Sequence, residues 1–330
     1  MMRLFGAACV AVSLALAPAC ASAQAAGEQA GGYPSRTVRM IVPYGAGGVS
    51  DIIGRVLAQK LSEVLGQPVV VENRGGAGGM LGTGIVAKAA PDGYTVVLSS
   101  LSAYAIGPRL VQTSPYDPVN DFTAIGGVAL TPTILTVNLA MAPRTVKELV
   151  AHAKANPGRL NYGSSGVGSI GHISAELLRA AAGVDLVHIP YKSAAFAYPD
   201  MISGSVTMIF DALPSAIQYI RTGKVRPVAM MSDQRTPLLP DVPTFAESGY
   251  PGVTLRLWVG LHGPAGLPPA IVQRLNDALA KALVAPDLRE RYASVGADPL
   301  PMPAREFGAM VRDDVATLAK TIESAGIKPE

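Results

Sequence analysis

The sequence predicts an α/β protein of two units, each a mostly parallel sheet flanked by helices, with a ligand cleft between them. Three observations carry this expectation. Strand-like and helix-like periodicities alternate along the chain, and the alternation restarts near residue 135. Glycine-rich loops follow strands and feed helices in both units. The chain has 330 residues, more than twice the common size of one domain.

In the first unit, Arg39 to Val42 reads as a short apolar strand ended by Pro43-Tyr44-Gly45-Ala46-Gly47-Gly48. Ile52, Ile53, Val56, Leu57, Leu61, Val64 and Leu65 then recur at helical spacing, with Gly66 as a stop. Pro68 to Glu72 is a valine-rich strand. The glycine-laden stretch from Gly75 to Gly84 leads to a short helix near Ile85 to Ala90, and Tyr94 to Ser99 is a third strand.

The second unit opens with a strand at Leu135 to Val137. Thr145-Val146-Lys147-Glu148 is a capping box starting a helix that stops at Asn156-Pro157-Gly158. Arg159 to Tyr162 is a strand into the loop Gly163 to Gly171, followed by a helix with Ile173, Leu177 and Leu178 on one face. Leu186 to Ile189, Val206 to Phe210 and Val225 to Met230 are further strands. A proline-rich connector, Thr236 to Gly252, leads to a long strand at Val253 to Leu261, and two helices, Pro268 to Val284 and Pro303 to Ala325, complete the chain. If this tail returns to the first unit, the units are 33–137 with 254–330, and 138–253. α/β proteins bind ligands in such clefts, outside the carboxyl ends of strands.

The chain opens as an export signal, 1–23. Met1-Met2-Arg3 supplies positive charge, Leu4 to Leu16 is apolar but too short to span a bilayer, and Ala21-Ser22-Ala23 suits a signal peptidase. A lipid anchor at Cys20 is the alternative. Both cysteines, Cys9 and Cys20, fall in this segment, so the mature chain is expected to lack disulfides, thiol nucleophiles and cysteine metal ligands. The net charge is only +3, without runs of like charge, which gives no support to a nucleic-acid partner. No heptad pattern is evident, so a monomer is expected.

The two loops, Pro43 to Ser50 and Gly163 to Gly171, are candidate anion sites. Glycine lets backbone N–H groups approach a ligand, and a helix N-terminus adds free donors and partial positive charge, so no lysine or arginine is required. Ser50, Ser164, Ser165 and Ser169 add hydroxyls. Asp51 suits the helix dipole, His172 opens the second helix, and Asp211 follows a strand and should face the cleft. Trp258 reads as core.

Enzyme chemistry finds little footing. Gly166-Val167-Gly168-Ser169-Ile170-Gly171 matches G-x-G-x-x-G, but no acid follows the next strand where a ribose would need one. The four histidines show no metal-ligand spacing, and no G-x-S-x-G elbow occurs. No cofactor, no metal and no catalytic residue are expected; a secreted NAD-type oxidoreductase is the remote alternative. The residues read as those of a binder.

Ordered motifs across the mature chain then carry a resemblance. Val42-Pro43-Tyr44-Gly45-Ala46-Gly47-Gly48, Leu65-Gly66-Gln67-Pro68, Pro91-Asp92-Gly93-Tyr94-Thr95, Gly166-Val167-Gly168-Ser169 with His172, His188-Ile189-Pro190-Tyr191-Lys192 and Leu239-Pro240-Asp241-Val242-Pro243-Thr244 resemble the Bug receptors. These are extracytoplasmic solute-binding proteins of the tripartite tricarboxylate transporter type. The resemblance implies a type II periplasmic-binding-protein fold that closes over a small organic carboxylate and hands it to membrane transporter subunits; a sensory receptor is the alternative. It also implies ligand-binding positions at Tyr44, Gly45, Ala46, Gly47, Gly48, Ser50 and Asp51 in the first loop. In the second loop they are Ser164, Ser165, Gly166, Gly168, Ser169 and His172. Ser99, Ser100 and Asp211 would complete the pocket. One departure stands out: Ser193 occupies the place after Tyr-Lys where relatives commonly carry glycine, and with Ser99 and Ser100 it could supply donors to a second carboxylate.

Overall fold

The computed structural model describes residues 32–327, so the expected export signal lies outside the described residues. From Pro34 onward the chain clusters as one unit. Its backbone is a ten-stranded mixed sheet, with the path β2-β1-β3-β9-β4-β7-β5-β6 and with β8 and β10 each pairing β4.

β1 (Val38–Val42) lies parallel to β2 (Val69–Asn73) and β3 (Thr95–Ser100). Met40, Ile41 and Val42 are all buried, as expected where helices cover both sheet faces. Helix α1 (Val49–Leu65) buries Ile53, Leu57, Leu61 and Leu65, one every turn, and ends at Gly66 with φ 72°, a left-handed conformation that glycine adopts without strain. Helix α2 (Met80–Ala87) starts inside the glycine stretch, earlier than expected at Ile85.

β4 (Phe122–Val137) is a 16-residue strand of which the sequence pattern revealed only the last three residues. Phe122 to Pro132 pairs with β9 (Arg256–Pro264), and Thr133 to Val137 pairs with β7 (Met208–Ala212). Gly126, Gly127 and Pro132 hide this strand from a propensity reading. Its bulges lie around Gly126 and Gly127, where a Cβ would meet Leu279 at 2.9 Å and the Leu300 carbonyl at 2.8 Å; at Pro132 it changes partners. β9 returns antiparallel between β3 and β4. Trp258, on β9, is buried and donates Nε1–H to Asp314.

In the second half, β5 (Leu160–Ser164) lies parallel to β6 (Leu186–Pro190) and β7. Helix α3 (Val146–Ala155) has the expected cap: Thr145 Oγ1 accepts from the Glu148 amide, and Glu148 reaches back to the Arg144 amide. Helices α4 (Ile170–Ala182), α5 (Ala197–Ser203) and α6 (Leu213–Arg221) follow, with β8 (Arg226–Met230) after α6. Ile134, Tyr198, Met201, Ile209, Leu213 and Ile217 form one core beneath them. Three helices, not two, close the chain: α7 (Pro269–Val284), α8 (Pro286–Val295) and α9 (Ala304–Ser324), with the two-residue β10 (Asp298–Pro299) before the last. Pro286 resembles a stop in sequence but occupies the first helical position, where its missing N–H costs nothing.

A cleft between two helix N-termini

The first loop is tied down from its own side of the sheet. Gly47, at φ 80°, donates its N–H to Asp51 Oδ2 at 2.9 Å; Asn73 Nδ2 bridges the Tyr44 carbonyl at 3.1 Å and Asp51 Oδ1 at 3.0 Å. Burial would raise the Asp51 pKa, but bonds from Arg55, Gly47 and Asn73 outweigh it and hold the carboxyl below its ordinary range. Gly48 is the N-cap of α1 and has no side chain to cap it, which leaves the first-turn N–H groups without a side-chain acceptor.

The second loop rests on stacked rings. His172 Nδ1 accepts the Gly168 N–H at 3.2 Å, which fixes it as unprotonated, and its ring lies 4.4 Å from His188 at an interplanar angle of 3°. His188 Nε2 meets Ser164 Oγ at 2.6 Å, and the Tyr162 ring also stacks on His188, at 4.8 Å. Burial lowers the His188 pKa to about 4. Ser169 caps α4 by accepting from the His172 amide. Gly166 and Gly168 have φ of 104° and 76°.

The halves meet through glycine. The Gly45 amide donates to the Lys192 carbonyl at 3.3 Å. A Cβ on Gly78 would strike the Val167 carbonyl oxygen, and one on Gly168 would strike the Cα of Gly107. A Cβ on Gly48 would lie 3.0 Å from Ser193 Oγ.

These contacts surround a narrow cleft between the two halves, with about 340 Å³ of space between atoms when the part open to solvent is counted. Of the anticipated residues, Tyr44, Gly48, Ser100, Ser165, Ser169, Ser193 and Asp211 line it. Tyr44 is a buried wall: its hydroxyl donates to the Gly78 carbonyl at 3.1 Å and lies 3.0 Å from Ser100 Oγ. Ser193 Oγ is buried and finds no partner among the described residues. Asp211 is 4% exposed, and burial pushes its pKa up to about 7 despite donors from Ser215, Ala212 and Tyr198.

The remaining anticipated residues do not line the cavity. Ser99 points to the opposite sheet face, where its hydroxyl meets His262 Nδ1 at 2.7 Å, because successive side chains alternate along β3. Asp51, Ser164 and His172 are engaged in holding the two loops. Gly45, Ala46, Gly47, Gly166 and Gly168 shape those loops from outside the lining, and Ser50 is buried in the first turn of α1. Val49 and Ile170, which lie inside the two candidate loops but were not singled out, also line the cavity, as do Ser102 and Leu257, which were not anticipated. Val49 and Ile170 are the first residues of α1 and α4, so the helix-start signal could have found them; Ser102 and Leu257 carry no comparable mark. Among the described residues, no lysine, arginine or histidine lines the cavity. Any anion held there relies on hydroxyls, backbone N–H groups and helix ends.

A larger depression of about 1310 Å³ lies at the partner change of β4, beside Pro132, Arg235, Arg256 and Asp298. It carries both signs of charge. Among the described residues no group of His, Cys, Asp and Glu could hold a metal ion, and no helix is long and apolar enough to cross a membrane.

A mixed α/β sheet whose halves face each other across a small cleft is the architecture of periplasmic solute-binding proteins. The chain belongs to the tripartite tricarboxylate transporter receptor family, whose model matches residues 53–327. BugT of Bordetella pertussis strain Tohama I is 36% identical over 297 residues, covering 90% of this chain and 91% of that protein. The solved structure of the periplasmic binding protein BugD is 36% identical and superimposes with a TM-score of 0.87, over 90% of this chain and all of that one. Rpa4515 of R. palustris, solved with adipate, is 34% identical with the same TM-score and covers 90% of this chain and all of its own.

Proposed function

We propose that this protein is a non-enzymatic, periplasmic receptor that captures a small organic carboxylate between two lobes, 33–137 with 254–330 and 138–253, for delivery to a tripartite membrane transporter. The observation that carries this reading is the pair of helix N-termini, at Gly48–Val49 and Ser169–Ile170, that border one cavity without any basic side chain. Each N-terminus favours an anion by about 0.3–1 kcal/mol from its dipole, and hydrogen bonds from N–H and hydroxyl groups to the charged ligand add about 1.5–3 kcal/mol each. The adipate bound to Rpa4515 supports the ligand class.

Ser193 provides the link between binding and closure. Its hydroxyl belongs to the second lobe and stands over the N-cap of α1 in the first. A carboxylate at that N-cap receives donors from both lobes, and a ligand that binds the closed state better shifts the population toward it.

Thermal-shift measurements with small carboxylates and their amides test the proposal. A ligand at 100 times its dissociation constant adds about 2.7 kcal/mol of stability. A carboxylate should raise the melting temperature and its uncharged amide should not. Equal shifts from both would remove the anion site.

A further inference from the structure

The cavity has two chemically different ends. One end is at the loops, where Gly48, Ser165 and Ser193 meet. The other is a floor beside the strand shared by both sheet halves: Asp211 pairs with Ile134 of β4, and Leu257 pairs with Thr131 of the same strand. The loop end offers donors. The floor offers an acid and an apolar side chain.

The Asp211 carboxyl is only partly satisfied. Oδ1 accepts the Ala212 N–H at 2.8 Å, while Oδ2 accepts the Ser215 hydroxyl at 2.5 Å and the Tyr198 hydroxyl at 3.5 Å. A carboxylate has roughly four acceptor positions, so about one remains open on a residue that lines the cavity. Among the described residues, no arginine, lysine or histidine lines the space to balance a second ligand carboxylate. Two carboxylates enclosed together repel unless one takes a proton, whereas a hydroxyl or ammonium group meets the open position directly.

We propose, resting on the carboxylate-receptor reading above, that Asp211 reads the end of the ligand remote from its carboxylate. The substrate class is then a short carboxylate bearing a hydroxyl or amino donor, in preference to a simple dicarboxylate. Leu257 contacts the carbon chain beside that donor.

Calorimetric titration with four-carbon acids tests this: butyrate, 3-hydroxybutyrate, 4-hydroxybutyrate, 4-aminobutyrate and succinate. At least one donor-bearing acid should bind about tenfold or more tightly than both butyrate and succinate, the value of a hydrogen bond to a charged group. Asp211→Asn presents an amide donor to the cavity and should invert the order, so that succinate gains over the hydroxy and amino acids. A merely structural role for Asp211 would weaken all five alike. Acids that bind without preference for a donor, or a variant that keeps the wild-type order, would overturn this inference and leave the receptor reading standing. Binding of none of the five would overturn this inference, while the receptor reading is decided by the comparison of carboxylates with their amides. If the variant does not fold, the wild-type order decides alone, and succinate as the tightest ligand refutes the proposal.

Discussion

Gly168 and Gly107 stand back to back across the cleft, so close that a Cβ on Gly168 would collide with the Cα of Gly107. The contact joins the second loop to the segment after β3 and leaves room for no side chain. Gly168→Val should therefore hold the halves apart. Its φ of 76° adds backbone strain of about 1–2 kcal/mol. Small-angle scattering at saturating ligand should show a larger radius of gyration than wild type, with affinity reduced by at least about tenfold. A variant that closes normally would remove this contact from the mechanism.

Ser193→Ala separates binding from stability. The hydroxyl is buried without a partner among the described residues, a situation that costs about 1–3 kcal/mol. Its removal should leave the melting temperature of the free protein unchanged or raised while weakening ligand binding. A destabilised variant with normal affinity would mean that Ser193 serves packing alone.

Asp51→Ala should act through the first loop. It strips an acceptor from the Gly47 amide and from Asn73, and removes the ion pair with Arg55 at 2.9 Å. Hydrogen exchange at Gly47 should accelerate, and affinity should fall although residue 51 does not line the cavity. Because the folded pKa of Asp51 is depressed, its stabilisation is present above the ordinary value of 3.8 and is lost as pH falls through the folded value. Unchanged exchange at Gly47 would contradict this role.

Buried titratable groups give stability a pH dependence with opposing arms. His188 and His262 have folded pKa values lowered by burial to about 4 and about 3, from 6.5, so stability falls as pH drops below 6.5 toward those values. Asp211 is raised from 3.8 to about 7, so its contribution is complete below 3.8 and is lost as pH rises through 7. Asp211→Asn should therefore melt higher than wild type at about pH 8 and show little of that advantage at about pH 4. The same difference at both values would mean that ionisation of Asp211 is not the cause.

The sequence carried most of the fold because its strands and helices are punctuated where the backbone turns: Gly66, Pro91-Asp92-Gly93 and Asn156-Pro157-Gly158 all end elements near the positions anticipated. It failed at β4, where Gly126, Gly127 and Pro132 serve a bulged strand that changes partners, a tertiary role invisible to local propensity. At the site, the loops and their helix starts were readable from glycine and serine spacing. The split between Ser100 in the cavity and Ser99 against His262 depends on the phase of β3, which two adjacent serines do not reveal. Asp51 and His172, which the resemblance places among the ligand-binding positions, accept bonds from Gly47 and Gly168 in this structure.

In the proposed receptor, backbone N–H groups at two helix starts hold the ligand's carboxylate. Amide NMR of the protein, titrated with a carboxylate that raises its melting temperature, measures this directly. The largest shifts should fall on Val49, Ser50, Ile170 and Gly171, one pair from each half. Shifts confined to one helix, or centred on the charged depression beside Arg235 and Arg256, would contradict it.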